Sequence, residues 1–528
     1  MRGRMQLRDY VAGCALSFPD KAAYIYQDTV RTWRQVDERS DRLVGALQAL
    51  GLKKGDRLGI LSRNRIEIVE QWFACLKGGF VRVGFNWRYS DREVRHVAAD
   101  SEVKALVVDA SCASALNSSL RALEADGIKL IGFGADHGLE IDYEQLLARS
   151  SPGTEPEIAD RDLCMIAYTS GTTGMPKGVM LSHGAVLESS IHSVLEVGYR
   201  PDDVRAYVSN PSGLNIFQTC FNTFNGMTTV FDDFDTLRFL HMVKTHRITC
   251  VTLIPTMISR VTEAVKAGGH DVSSLRQIYY GSMPITPTLM RDAYETLGCQ
   301  FMQGYGVSES CGPIAGLTDE DHRRALSGEP HILRSVGKAF LHAEMSVRDD
   351  DGQELPRGQQ GTVWIRSATL MDGYLNLPRE TAESFAGDWL KTGDFGHMDE
   401  HGYVFLADRK KHMIISGGMN IYPTSIENAI HEHPAVHEVV VVGMPHPEWG
   451  QAVVAAVTLK PGAEADAQTL IAHCEGRIPR WEIPKYLEIL PELSKGNTDK
   501  LDKRAVERQI LASGRLPWAV SSSTNEKP

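Results

Sequence analysis

The residue types best suited to chemistry are concentrated at 168–178, in the stretch YTSGTTGMPKG. Thr169, Ser170, Thr172 and Thr173 offer hydroxyl donors, and Gly171 and Gly174 let the backbone enter φ > 0 and aim N–H groups at an anion. Lys177 adds a compact positive charge. Together they make a loop that cradles phosphate. A Walker loop needs Ser or Thr directly after its Gly-Lys pair, whereas Gly178 and Val179 follow Lys177, so the P-loop NTPase pattern is not met. A flexible Ser/Thr/Gly linker would not be framed by apolar residues at 163–168 and by VMLSH at 179–183.

Five further stretches follow in order: YGSMP at 280–284, QGYGVSE at 303–309, WLKTGD at 389–394, DRKKH at 408–412 and LSKGNTDK at 493–500. With the phosphate loop, this ordered set resembles the signature of the adenylate-forming superfamily, which holds acyl-CoA synthetases, aryl-CoA ligases, luciferases and the adenylation domains of peptide synthetases. The resemblance covers nearly the whole chain. It implies ATP and Mg²⁺, a carboxylic acid substrate and a thiol acceptor, with coenzyme A foremost.

The resemblance also implies roles. Gly281, Ser282 and Met283 would lie against the adenine, and Tyr305, framed by Gln303, Gly304 and Gly306, would stack on it. Ser308, in place of the commoner threonine, would contact the α-phosphate. Glu309 would help hold Mg²⁺, which as a hard cation prefers oxygen ligands. Asp394 would accept hydrogen bonds from the ribose hydroxyls, and a carboxylate can take two at once. Arg409 would contact ribose or phosphates. Lys411 would be the hinge about which a small C-terminal domain rotates, with His412 in a place that is usually acidic. The turn at Gly417 and Gly418 would let the thiol of coenzyme A pass close to bare backbone.

Lys500 takes the place of the family's adenylating lysine when Leu493-Ser494 is aligned with its Leu-Pro, a register that keeps the spacing from Pro484-Lys485. Aligning Leu490-Pro491 instead would put Asn497 there, and Lys495 is a further alternative. The register adopted carries two departures, Ser494 for proline and Asp499 for glycine, and a carboxylate beside a catalytic ammonium raises its pKa or competes for it.

The acid is expected to meet Asn210, Gly213 and Asn215 together with Tyr280, Gly281 and Gly306. Coenzyme A ligases of the family commonly carry an aromatic-histidine pair here, but 206–226 reads AYVSNPSGLNIFQTCFNTFNG and has no histidine, with Asn210 or Pro211 nearest its place. Nothing acidic lies in this stretch, and a buried ammonium without a partner is costly, so an α-amino acid is not expected. Asn210, Asn215, Asn222 and Asn225 could hydrogen-bond a hydroxyl or carbonyl of a polar or aryl acid. They could equally be loop residues.

These residues must be positioned by a large fold. At 528 residues, two or more domains are expected, and 42% apolar with 23% charged residues is a globular composition. Short apolar runs alternate with helical periodicity, the pattern of an α/β fold. Thr32 and Gln35 make a capping box for a helix that presents Val36, Leu43, Val44, Leu47 and Leu50 and stops at Gly51. Strands are expected at 57–61, 80–83 and 105–108, with helices at about 66–76 and after Ser90-Asp91. A polar connection at 150–162 precedes the phosphate loop. The expected division is 1–410, a large AMP-binding domain of α/β subdomains, and 411–528, a small mobile α/β domain ending in a disordered tail.

The net charge of −11 argues against a nucleic-acid partner. No apolar run reaches the roughly 20 residues of a membrane span, and 1–10 lacks the apolar core of a signal peptide, so a cytoplasmic monomer or homodimer is expected. Nine cysteines without a CxxC pair read as reduced, buried hydrophobes. His431, His433 and His437 resemble the family's HPxVxE connection rather than a metal site. The expected activity is a two-step ATP-dependent acid–CoA ligase. Transfer of the adenylate to a carrier protein or another nucleophile, and a nucleotide-binding protein impaired by Asp499, remain open alternatives.

Overall fold

The computed structural model describes residues 5–114, 116–169, 175–281, 285–409, 414–417, 419–496 and 501–518. The chain forms two compact units, Met1–Met345 with Ile365–Leu390, and Ser346–Trp364 with Lys391–Pro528.

The first unit is built on two sheets. One has eight strands in the order Gly373–Tyr374, Lys177–Ser182, Leu163–Thr169, Val81–Phe85, Arg57–Leu61, Ala105–Asp109, Lys129–Phe133 and Ile141–Asp142. It is parallel from Leu163–Thr169 onward and antiparallel toward Gly373–Tyr374. Val81–Phe85 and Ala105–Asp109 are buried along their whole length, as strands covered on both faces must be.

Local chemistry sets the element ends. Thr32 caps the helix Trp33–Ala49 in a reciprocal box with Gln35, and Gly51 ends it at φ 97°. The helix expected at 66–76 spans Glu67–Gly78. Gly79 closes it at φ 65°, and the strand begins one residue later than expected, at Val81.

The second sheet has nine strands in the order Lys338–Ala339, Ala315–Leu317, Gln300–Tyr305, Gln277–Gly281, Cys250–Leu253, Val204–Tyr207, Thr228–Phe231, Ala22–Tyr26 and Thr29–Thr32. From Gln300–Tyr305 to Ala22–Tyr26 every pair is parallel. The carboxyl ends of Val204–Tyr207, Gln277–Gly281 and Gln300–Tyr305 therefore share one edge, the edge at which open α/β sheets bind ligands.

The second unit carries the strands Met419–Ile421, Ile414–Ser416, Gly450–Leu459 and Val436–His446 in that order, with Tyr486–Ile489 parallel to Gly450–Leu459. Strand alternation splits the core. Val453, Ala455 and Val457 pack with Ile426, Ile430 and Leu470 on one face, and Val454 and Ala456 with Leu493, Val506 and Ile510 on the other. All nine cysteines are unpaired and buried. Among the described residues no helix is long and apolar enough to cross a membrane.

Candidate active site

The phosphate loop joins two antiparallel strands, and Thr169 pairs with Lys177 at its neck. Ser170, Gly171, Thr172, Thr173 and Gly174 lie outside the described residues. Gly178 is needed for packing, since a Cβ there would come within 2.7 Å of Ile166. The helix Asp91–Ser101 holds both sides of the neck. Asp100 accepts the Tyr168 hydroxyl at 2.7 Å, and the His96 ring meets the Pro176 carbonyl at 3.0 Å. His96 and Asp100 are one helical turn apart and share a face.

Three distant stretches meet beside Lys177. Its ammonium lies 5.8 Å from the centroid of the Tyr374 ring, and the Tyr374 hydroxyl donates to Glu309 at 2.6 Å. The Met371 N–H donates to the Glu309 backbone carbonyl at 2.8 Å, and Tyr374 is paired with Val179 on the edge of the eight-stranded sheet. Glu309 itself sits in the short 3₁₀ turn Ser308–Ser310, which Ser310 ties down by accepting the Val307 N–H and donating to the Gly312 carbonyl.

Gly281 and Gly304 are paired at the carboxyl edge of the nine-stranded sheet, and a Cβ on Gly281 would lie 2.6 Å from the Gly304 carbonyl. A Cβ on Gly306 would overlap the Gly312 carbonyl. These glycines let backbones approach where side chains cannot. Tyr305 and Gly304 are half-buried, Gly306 is exposed and Gln303 is buried. Ser282 and Met283 lie outside the described residues. The Tyr280 side chain is fully buried and its hydroxyl meets His322 at 2.8 Å. Burial holds that phenol well above its ordinary pKa. Tyr280 thus reaches the sheet edge through its backbone alone.

Asn210 is tied to its surroundings. Its amide donates to Asn86 at 3.1 Å, while its carbonyl accepts the N–H and hydroxyl of Ser212 at 3.0 and 2.8 Å. Gly213 faces open space, and Asn215 is exposed, 3.4 Å from Gln218. Asn222 and Asn225 serve the fold. Asn222 is buried and accepts the Tyr24 hydroxyl at 2.8 Å, and Asn225 accepts the Met227 N–H at 3.1 Å.

In the second unit Asp394 lies opposite Arg409 across the hairpin of Trp389–Met398 and Val404–Arg409. Its N–H donates to Thr392 at 3.0 Å, and Gly393 turns the chain at φ 75°. The Arg409 side chain, Lys411, Gly418 and Lys500 lie outside the described residues. Lys495 is paired with Glu438 at 2.7 Å. Gly417 adopts φ 57° and donates to the Trp449 carbonyl at 2.9 Å. The Trp449 ring stacks on His446 at 4.2 Å and has Lys485 5.0 Å from its centroid.

Tyr374, His96, Asp100 and Trp449 escape sequence reasoning. Tyr374 and Trp449 are aromatic residues in polar turns, MDGYLN and HPEWG, which is a faint signal. His96 and Asp100 give none beyond the i, i+4 spacing.

Residues 13–375 match the family model described as AMP-binding enzyme, and 425–500 that described as AMP-binding enzyme C-terminal domain. The chain is 32% identical over 514 residues to the indoleacetate–CoA ligase of Aromatoleum aromaticum, covering 96% of this chain and 98% of the relative. Among solved structures it resembles the o-succinylbenzoate CoA synthetase of Bacillus subtilis in complex with its acyl-adenylate intermediate. The TM-score is 0.82 at 27% identity, covering 95% of this chain and 97% of that one. The amide bond synthetase of Marinactinospora thermotolerans is similar with a TM-score of 0.84 at 28% identity, covering 95% and 99%.

Proposed function

The chain belongs to the family of AMP-binding enzymes and is an AMP-forming acid–CoA ligase using ATP, Mg²⁺ and coenzyme A; from there we propose that it activates an aryl or similarly polar carboxylic acid as the acyl-adenylate. The observation that carries this reading is the meeting of Lys177, Tyr374 and Glu309 at the neck of the phosphate loop. A cation, a hydroxyl and a carboxylate drawn from separate stretches are what a polyphosphate with its metal requires.

Thr169, Lys177 and the loop hydroxyls bind the phosphates, and Asp394 takes the ribose. The donors beside Lys177 are all oxygens, which suits Mg²⁺. Among the described residues no three His, Cys, Asp or Glu side chains cluster, so Glu309 would hold the ion together with the nucleotide's own phosphates. Bound there, Mg²⁺ neutralises phosphate charge. In the first step a carboxylate oxygen bonds to the α-phosphorus and pyrophosphate leaves. Lys500 stabilises the charge on acid and α-phosphate, an effect of about 3–4 kcal/mol by the scale of an oxyanion donor. In the second step the thiol sulfur bonds to the acyl carbon, AMP leaves and the thiol proton is released. Gly417 and Gly418 offer bare backbone to the thiol, Trp449 and Lys485 offer a ring and a charge for its nucleotide, and the chain reorganises at Lys411 between the steps.

The stretch 206–226 has no carboxylate to pair an ammonium, which argues against an α-amino acid, and the exposed Asn215 is the amide left to meet a polar or aryl acid. The likeness to the amide bond synthetase supports a second reading, in which the adenylate passes to an amine instead of coenzyme A. Lys500→Ala tests the first step. Adenylation falls at least about 10²-fold while ATP binding is kept. Equal activity in the two proteins overturns the assignment of Lys500.

A further inference from the structure

The turn at 210–213 is held by the eight-stranded sheet, through one face of a single strand. Arg82, on Val81–Phe85, is completely buried, and its Nη2 donates to the Pro211 carbonyl at 2.8 Å. Gly84 is two residues on and on the same face, and a Cβ there would overlap the Ser212 carbonyl. Asn86, two residues further, accepts from Asn210 at 3.1 Å. Residues 82, 84 and 86 thus take up 211, 212 and 210, with a hydrogen bond, a space and a hydrogen bond.

Arg82 has none of the usual reasons for a buried guanidinium. No carboxylate pairs with it among the described residues, and its Nε and Nη1 find no acceptor there. Burial pulls its pKa down to about 10. Burying an unpaired charge is costly, so its retention at this point needs a return. The return is at the turn. Pro211 has no N–H to anchor it, Gly213 has no side chain, and the segment between Val204–Tyr207 and the 3₁₀ helix Leu214–Phe224 has no ladder of its own. A charge-assisted hydrogen bond to the Pro211 carbonyl fixes it, beside the close contact of Ser212 with Gly84.

We infer that Arg82 is a positioning residue of the acid site, fixing the turn 210–213 so that Gly213 presents bare backbone to the acyl group. This rests on 210–215 forming the acyl wall in the function proposed above. The guanidinium touches no substrate and acts through the Pro211 carbonyl.

The test uses the full-length enzyme with Arg82→Lys and Arg82→Met, and reads two quantities. The first is amide hydrogen exchange in peptides covering 208–216 and 57–61. The second is the KM for ATP and for an acid the wild type turns over, from pyrophosphate release. Losing a charge-assisted hydrogen bond should speed exchange in 208–216 roughly tenfold and leave 57–61 unchanged. The acid KM should rise by a similar factor with the ATP KM unmoved, and lysine should restore part of both. Unchanged exchange in 208–216, or acid and ATP KM moving together, overturns the inference. If Arg82→Met does not fold, Arg82→Lys is judged by the same criteria. A wild type that turns over no acid defeats the ligase reading, and the exchange measurement then decides the role of Arg82 by itself.

Discussion

The phenol of Tyr374 donates to the carboxylate of Glu309 at 2.6 Å across 65 residues of sequence, and the same ring faces the ammonium of Lys177. Tyr374 therefore sets where Glu309 points. Tyr374→Phe should slow ATP–pyrophosphate exchange about three- to tenfold, the scale of one hydrogen bond to a charged group. Glu309→Gln removes the carboxylate itself and should cost about 10²-fold or more. A Tyr374→Phe enzyme with wild-type exchange would show that the pair is incidental.

His96 and Asp100 hold the two sides of the phosphate-loop neck from one helix face. The double variant His96→Ala/Asp100→Ala should raise the KM for ATP about ten- to thirtyfold, because the bonds from His96 to Pro176 and from Tyr168 and Asn376 to Asp100 are lost together, a cost of about 1.5–2 kcal/mol. The acid KM, measured at saturating ATP, should stay within about twofold of wild type on the same scale. A matched rise in both constants would point to general loosening of the fold.

Trp449 and Lys485 lie beside the turn at Gly417, which the proposed function assigns to coenzyme A. Trp449→Ala should raise the KM for coenzyme A about tenfold, the scale of one lost stacking contact, and leave pyrophosphate exchange in the absence of coenzyme A unchanged. Loss of exchange would mean that the tryptophan serves the fold or the first step.

His183, directly after the phosphate hairpin, is buried, and its Nε2 has no hydrogen-bond partner among the described residues. Burial pushes its pKa down to about 4; Asp162 opposes this, and Arg8 and Lys54 reinforce it. A folded pKa below the unfolded value of about 6.5 means that this stability is present above pH 6.5 and is lost as pH falls toward 4. In urea unfolding, the advantage of wild type over His183→Gln should shrink by roughly 2–3 kcal/mol between pH 7 and pH 4. A constant difference would show that the imidazole titrates alike in the folded and unfolded states.

Much of the fold was legible in the sequence, and so were the stretches from which the proposed site is drawn. The capping box at Thr32, the strand at 57–61 and the helix after Ser90 follow from local rules, since caps and periodicity act over a few residues. The motif residues were identifiable because each stretch is contiguous. What remained hidden depends on contacts between distant residues. Nothing near Tyr374 announces Glu309, and nothing near Arg82 announces Pro211. Tyr280 shows the converse: its place beside Gly281 suits a wall of the acid site, but its ring packs against His322, which the sequence places 42 residues away. Asn222 likewise reads as a loop amide, and Tyr24 claims it in the core.

The most direct test of the ligase is pyrophosphate release by the wild type across aryl, short-, medium- and long-chain acids, each with and without coenzyme A. The thioester is followed by mass spectrometry. Sustained turnover that needs both an acid and coenzyme A, strongest with an aryl or polar acid and accompanied by the acyl thioester, is the predicted result. A single burst of pyrophosphate unaffected by coenzyme A, with no thioester formed, would contradict it and direct attention to an amine or a carrier protein as the acceptor.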